Sequence, residues 1–85
     1  MKISFTEEAF LDYQYWQQHN PKLVERIHIL IRDIVRQPFG GLGKPEALKH
    51  QLKGHWSRRI DSEHRLVYRI EREEVMIISV RYHYQ

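Results

Sequence analysis

Apolar positions recur along this chain with two different periods, and the switch between them divides it into a helical half and a strand half. Lys2-Ile3-Ser4-Phe5 alternates and predicts a short strand with Ile3 and Phe5 on one face. Thr6 is a good N-cap, and Glu7 and Glu8 in the first turn suit the positive end of a helix dipole. A first helix is expected over residues 7–18, with Ala9, Phe10, Tyr13 and Trp16 as its apolar stripe. Asn20-Pro21 reads as a second cap, with proline at the first helical position, where its missing N–H costs nothing. Leu23, Ile27, Leu30, Ile31 and Ile34 then follow at i, i+4, i+7, i+8 and i+11, and Pro38 ends this second helix.

Residues 38–45 hold three of the four glycines and two of the three prolines, so they predict a loop that carries Glu46 and Lys49 across the edge of the domain. No phosphate-cradling glycine motif is present in it. Strand-like runs follow over 56–60, 64–70 and 75–84, separated by Asp61-Ser62-Glu63 and by Glu71-Arg72-Glu73-Glu74. The order β-αα-βββ predicts an α+β fold: an antiparallel sheet with a two-helix hairpin packed on one face. Eighty-five residues make one domain, 1–85, with no room for a second core.

Alternation sorts the strand residues into faces. His64, Leu66, Tyr68 and Ile70 share one face and leave Arg65, Val67 and Arg69 on the other. In the last run, Met76, Ile78, Val80 and Tyr82 oppose Val75, Ile77, Ser79, Arg81 and His83. The more apolar face of each strand should meet the helices. Arg65 and His83 then share the open face only if cross-strand partners have numbers with an even sum. A three-residue loop or a bulge achieves that, whereas a plain two- or four-residue hairpin does not. The same parity in the preceding hairpin adds Ser57 and Arg59, so Arg59, Arg65, Arg81 and His83 are expected together. That much positive charge should be open to water or bound to an anion. His64, on the core face, reads as structural. Trp56, Tyr68 and Tyr82 read as packing residues rather than base-stacking platforms.

The net charge is +3 and its distribution is uneven. Residues 1–37 balance at five basic and five acidic side chains, while 38–85 hold nine basic against six acidic. Lys44, Lys49, Lys53, Arg58 and Arg59 face a single acid, Glu46, within sixteen residues, a local field that attracts phosphates. With no cysteine, disulfides and thiolate chemistry are excluded. His50 and His55 lack a recognised ligand spacing, so no metal or other cofactor is expected. No apolar run approaches the roughly 20 residues of a membrane span, and the first residues lack a signal-peptide core, so the chain reads as soluble and cytoplasmic.

Four ordered blocks carry a resemblance over essentially the whole chain. They are Gly43-Lys44-Pro45-Glu46-Ala47-Leu48-Lys49-His50, Gly54-His55-Trp56-Ser57-Arg58-Arg59-Ile60, Glu63-His64-Arg65-Leu66-Val67-Tyr68 and Arg81-Tyr82-His83-Tyr84. Together they resemble the YoeB toxins of the RelE-like (RelE/ParE) toxin–antitoxin superfamily. That resemblance implies a RelE-like microbial ribonuclease fold and a ribosome-dependent endoribonuclease that cuts mRNA and so inhibits translation. It also implies neutralisation by a YefM-like antitoxin of the Phd/YefM family, action on the 70S ribosome, and a homodimer. By the same resemblance Glu46 is the general base, His83 the general acid and Arg65 the residue that steadies the phosphate. Lys49, Arg59 and Tyr84 become substrate contacts. The chain departs from the family pattern in carrying Gln85 after the terminal tyrosine.

Such a set suffices for cleavage by internal attack of the 2′-hydroxyl. A base takes its proton, cations accept charge building on the phosphate, and an acid protonates the departing 5′-oxygen. Each residue also has a plainer reading. Glu46 is one helical turn from Lys49 and would make an ordinary surface ion pair, Arg65 would pair with Glu63 or Glu46, and His83 would cap a chain end. Lys44, Lys53, Arg58, Arg26, Arg32 and Arg36 are candidates for docking ribosomal RNA. The competing function is a non-catalytic RNA-, ribosome- or antitoxin-binding module on the same basic face.

Overall fold

Thr6 and Asn20 punctuate the helical half as their side chains predict. The computed structural model describes residues 1–82, and within it β1 (Lys2–Phe5) is followed by α1 (Glu7–His19) and α2 (Pro21–Arg36). The Thr6 hydroxyl accepts the Ala9 N–H at 3.1 Å, and the Asn20 side chain accepts the Leu23 N–H at 3.2 Å. The Asn20 N–H also donates to the Trp16 carbonyl, so one residue closes α1 and opens α2. All five residues of the predicted α2 stripe are buried, together with Val24. On α1 the stripe is narrower than expected. Ala9 and Trp16 are buried and Tyr13 is half-buried, but Phe10 is exposed, because α1 lies near the margin of the core.

Five strands form one sheet in the order β1-β5-β4-β3-β2. Beside β1 these are β2 (Glu46–Ala47), β3 (Trp56–Arg59), β4 (Arg65–Glu71) and β5 (Glu74–Ser79). The α+β class and the helix pair are as expected, but the sheet is mixed, since β1 runs parallel to β5. The two helices carry the chain from β1 to the far edge of the sheet at β2, and the antiparallel run back through β3 and β4 lays β5 beside β1 in the same direction. The two-residue strand β2 follows the predicted loop directly, where no element was expected, and β5 ends at Ser79, with residues 80–82 outside any strand.

Parity along β4–β5 is decided by a bulge. Glu71 pairs with Glu74 across a two-residue loop, Arg72-Glu73, in which both residues have positive φ (51° and 59°). That hairpin pairs Ile70 with Val75 and Tyr68 with Ile77, so Val75 and Ile77 face the helices and Met76 and Ile78 do not. This corrects the face expected for Met76 and Ile78. Between Tyr68 and Val67 the register then slips: Ile78 is the extra residue and Val67 pairs with Ser79. Beyond the slip Val80 is in the core, as the even-sum register requires.

A buried arginine ties the helices, the sheet and the glycine loop together. Arg58 lies on the helix-facing side of β3, fully buried, and all five of its N–H donors are used. Nη1 donates to the Asp33 carboxylate at 2.6 Å and to the Leu42 carbonyl at 3.1 Å. Nη2 donates to the carbonyls of Gln37 and Gly40, each at 2.7 Å, and Nε to the Tyr68 hydroxyl at 3.1 Å. Tyr68 in turn donates to the Pro38 carbonyl at 2.6 Å. Arg58 therefore does not dock RNA, contrary to the sequence expectation. Gly41 is required here: its φ is +101° and a Cβ would collide with the Asp33 carboxylate.

The Leu42 N–H, the Gln37 side-chain amide and the Arg58 guanidinium all stabilise the ionised form of Asp33 and outweigh its burial, holding its carboxyl down to about 2. A folded value below the ordinary 3.8 means that this stabilisation is complete above that pH and is lost as pH falls toward 2. Asp33→Asn, which leaves the buried guanidinium without its counter-charge, should cost about 3–5 kcal/mol in urea unfolding. The Asp33→Leu/Arg58→Met double variant should cost much less than the sum of its two single changes.

Candidate functional site

The face of the sheet opposite the helices collects side chains from three strands. Leu66 and Tyr68 point into the core, so Arg65 and Val67 point away from it. Cross-strand partners share a face, and Arg59 pairs with Arg65, Ser57 with Val67, Glu46 with Ser57 and Val67 with Ser79. One row therefore runs Glu46-Ser57-Val67-Ser79, and the next holds Arg59 and Arg65. The rows are about 7 Å apart along the strands, and Glu46 and Arg65 lie two strand spacings, about 10 Å, apart across them. Ser57, Val67 and Ser79 are buried and form a floor, while Glu46 and Arg59 are exposed and Arg65 is half-buried. Lys49 is exposed, just past the β2–β3 ladder and three residues from Glu46.

The sequence expectation thus holds for Glu46, Arg59 and Arg65, which the structure brings to one face. The glycine loop, gripped by Arg58, delivers Glu46 to that edge. Neither plainer reading is realised among the described residues: Glu46 makes no ion pair with Lys49, and Arg65 makes none with Glu63 or Glu46. Glu63 instead approaches His64, at 3.5 Å. Arg65 Nη1 is buried with no hydrogen-bond partner among the described residues. Two arginines directly opposite, one with a buried unused donor, form an arrangement that an anion relieves.

Arg81 departs from expectation. The alternation stops after Val80: the Ser79 hydroxyl accepts the Arg81 N–H at 3.4 Å and donates to the Arg81 carbonyl at 3.2 Å. Arg81 swings toward α1, with its guanidinium carbon 3.9 Å from the Tyr15 ring centroid and 5.8 Å from that of Trp16. Tyr82 is 55% exposed rather than packed in the sheet. His83 and Tyr84 lie outside the described residues. A separate groove beside α2, lined by Ile29, Arg32, Arg36 and Leu42 among others, holds none of the predicted site residues. No three His, Asp or Glu side chains converge as a metal site requires, among the described residues. Nor is any helix among them long and apolar enough to cross a membrane.

Three roles went unread in the sequence: Asp33 as the partner of Arg58, Trp16 as a hydrogen-bond donor, and His64, expected only as a structural core residue, as an acceptor. Asp33 had a signal, an acid next to Ile34 in the apolar stripe of α2. The other two had none, because their partners are backbone groups far away in sequence.

The sequence model of the YoeB-like toxins of bacterial type II toxin–antitoxin systems matches residues 5–84. The chain belongs to this family. It is 58% identical over 85 residues to Toxin YoeB of a Synechocystis strain, covering 100% of this chain and 99% of that one. Among solved structures, the YoeB-like chain is similar to the toxin in the heterotetrameric YoeB–YefM complex of Staphylococcus aureus. That match has a TM-score of 0.91 at 46% identity and covers 99% of this chain and 98% of the other. It is also similar to the Staphylococcus aureus YoeB dimer, with a TM-score of 0.93, 46% identity and the same coverage. The protein is accordingly the toxin component of a toxin–antitoxin system. The facing arginines in this YoeB-like toxin destabilise each other, so Arg59→Gln should raise unfolding stability by a few tenths of a kcal/mol while weakening phosphate or oligonucleotide binding at low salt. Denaturation curves and binding titrations on the same samples would check both signs.

Proposed function

We propose that residues 1–85 form one toxin domain that acts as an endoribonuclease, cutting mRNA on the translating ribosome. The observation that carries this reading is the single face that presents Glu46, Arg59 and Arg65 together, with an Arg65 N–H buried and without a partner among the described residues. An RNA phosphodiester seated over the Ser57-Val67 floor places its non-bridging oxygens against Arg65 and Arg59, with Lys49 adding charge from the edge. Glu46 takes the proton of the 2′-hydroxyl as that oxygen attacks phosphorus. Charge building on the phosphate is met by the two guanidinium groups. The bond to the 5′-oxygen breaks, and His83 supplies the proton that the leaving oxygen needs. The product is a 2′,3′-cyclic phosphate, which water opens to a 3′-phosphate. Tyr84 is assigned to substrate positioning on the family pattern alone.

In this reading the partners are the 70S ribosome with its mRNA and a YefM-like antitoxin, the association that the Staphylococcus aureus complex records for its own toxin. A homodimer is proposed on the same footing. Action in the cytoplasm follows from the substrate.

The deciding experiment maps mRNA ends after the purified protein acts on translating ribosomes and on free RNA. Cuts on ribosomes alone support the proposal, and ribosome binding without cuts would favour the non-catalytic module. Glu46→Gln, Arg65→Ala and His83→Gln should each lower cleavage by about 100-fold or more. His83→Gln should leave ribosome affinity nearly intact. Removing residues 83–85 should leave the melting transition largely unchanged and abolish cleavage.

A further inference from the structure

The end of β5 is gripped by side chains that the cleavage chemistry does not use. The Trp16 indole Nε1 donates to the Val80 carbonyl at 2.9 Å. Two residues later Tyr82 is held on both sides. Its carbonyl accepts the Arg65 N–H at 2.9 Å, and its own N–H donates to Nδ1 of His64 at 2.8 Å. Adjacent residues of one strand start therefore bracket both backbone groups of Tyr82. Tyr82 has φ of +59°, a left-handed conformation costing an aromatic residue of order 1–3 kcal/mol, which persists only where its surroundings enforce it.

His64 is itself immobilised. It is 6% exposed, its ring centroid lies 4.7 Å from that of Trp16 in an edge-on arrangement, and the Tyr82 ring is 5.5 Å away. Its backbone N–H donates to the Asp61 carboxylate at 2.7 Å and its carbonyl accepts the Ile60 N–H at 2.9 Å. A backbone N–H can only donate, so Nδ1 must present a lone pair and the ring proton sits on Nε2, on the side of Glu63.

We propose that His64 is the positioning residue of the terminal segment. Its Nδ1 acceptor fixes the backbone conformation of Tyr82, the residue that precedes His83 in the sequence. Because Arg65 takes the Tyr82 carbonyl through its own backbone, the same latch ties Tyr82 to the residue whose guanidinium is assigned to the phosphate. This deepens the ribonuclease reading and rests on it. His64 touches no reacting atom and acts through Tyr82.

The wild-type chain gives the first test. Long-range proton–nitrogen NMR should find the His64 proton on Nε2, with the Tyr82 amide protected from exchange. A proton on Nδ1, or a freely exchanging Tyr82 amide, overturns the latch. His64→Phe keeps a ring and removes the acceptor, whereas His64→Asn returns an acceptor close to where Nδ1 stood. His64→Phe should speed Tyr82 amide exchange and lower kcat on ribosomes by about 100-fold with little change in KM. His64→Asn should recover much of both losses. Wild-type kcat in His64→Phe, or an equal loss in both variants, overturns the positioning role. A wild-type chain that cuts no mRNA would sink the ribonuclease reading, and the tautomer and exchange results would still decide the latch.

Discussion

The bond between Arg58 and Asp33 is the interaction on which the site depends. It joins β3 to α2, and through the carbonyls of Gln37, Gly40 and Leu42 it shapes the glycine loop that ends at Glu46. A charge taken out of water must be met completely, and here every guanidinium donor and both carboxylate oxygens have partners. This suits a small domain whose helix-facing core is chiefly aliphatic. The loop lacks the apolar content to pack itself, so its backbone carbonyls are satisfied by a side chain from the sheet.

On the opposite face the balance is reversed. Arg59 and Arg65 are left facing each other, and a buried Arg65 N–H is unused among the described residues. The fold satisfies its inward arginine fully and leaves one buried Arg65 donor without a partner among the described residues. Two adjacent arginines of β3 thus have opposite fates because alternation sends Arg58 inward and Arg59 outward.

Much of this was legible before the structure was known. The caps at Thr6 and Asn20, the stripe of α2 and the sharing of a face by Ser57, Arg59 and Arg65 follow from local chemistry and from the period of the strands. The requirement for an even-sum register between the last two strands could also be stated. How the chain meets it could not be read. A two-residue turn with both residues at positive φ sets the odd register, and the extra residue Ile78 reverses it, exchanging the faces of Met76 and Ile78 with those of Val75 and Ile77.

The sequence by itself determined the order of elements, the face of each residue within an unbroken strand, the basic excess of the second half and, through four motif blocks, the family. These are properties of neighbours in the chain, fixed by propensity, spacing and residue chemistry. Tertiary structure alone decided that Arg58 is buried, that Arg81 lies on the rings of α1, that β1 pairs with β5, and that His64 grips Tyr82. Each of these joins groups distant in sequence, where one charged or polar residue has several partners within reach. Which partner it takes depends on burial and register, and both exist only once the chain has folded.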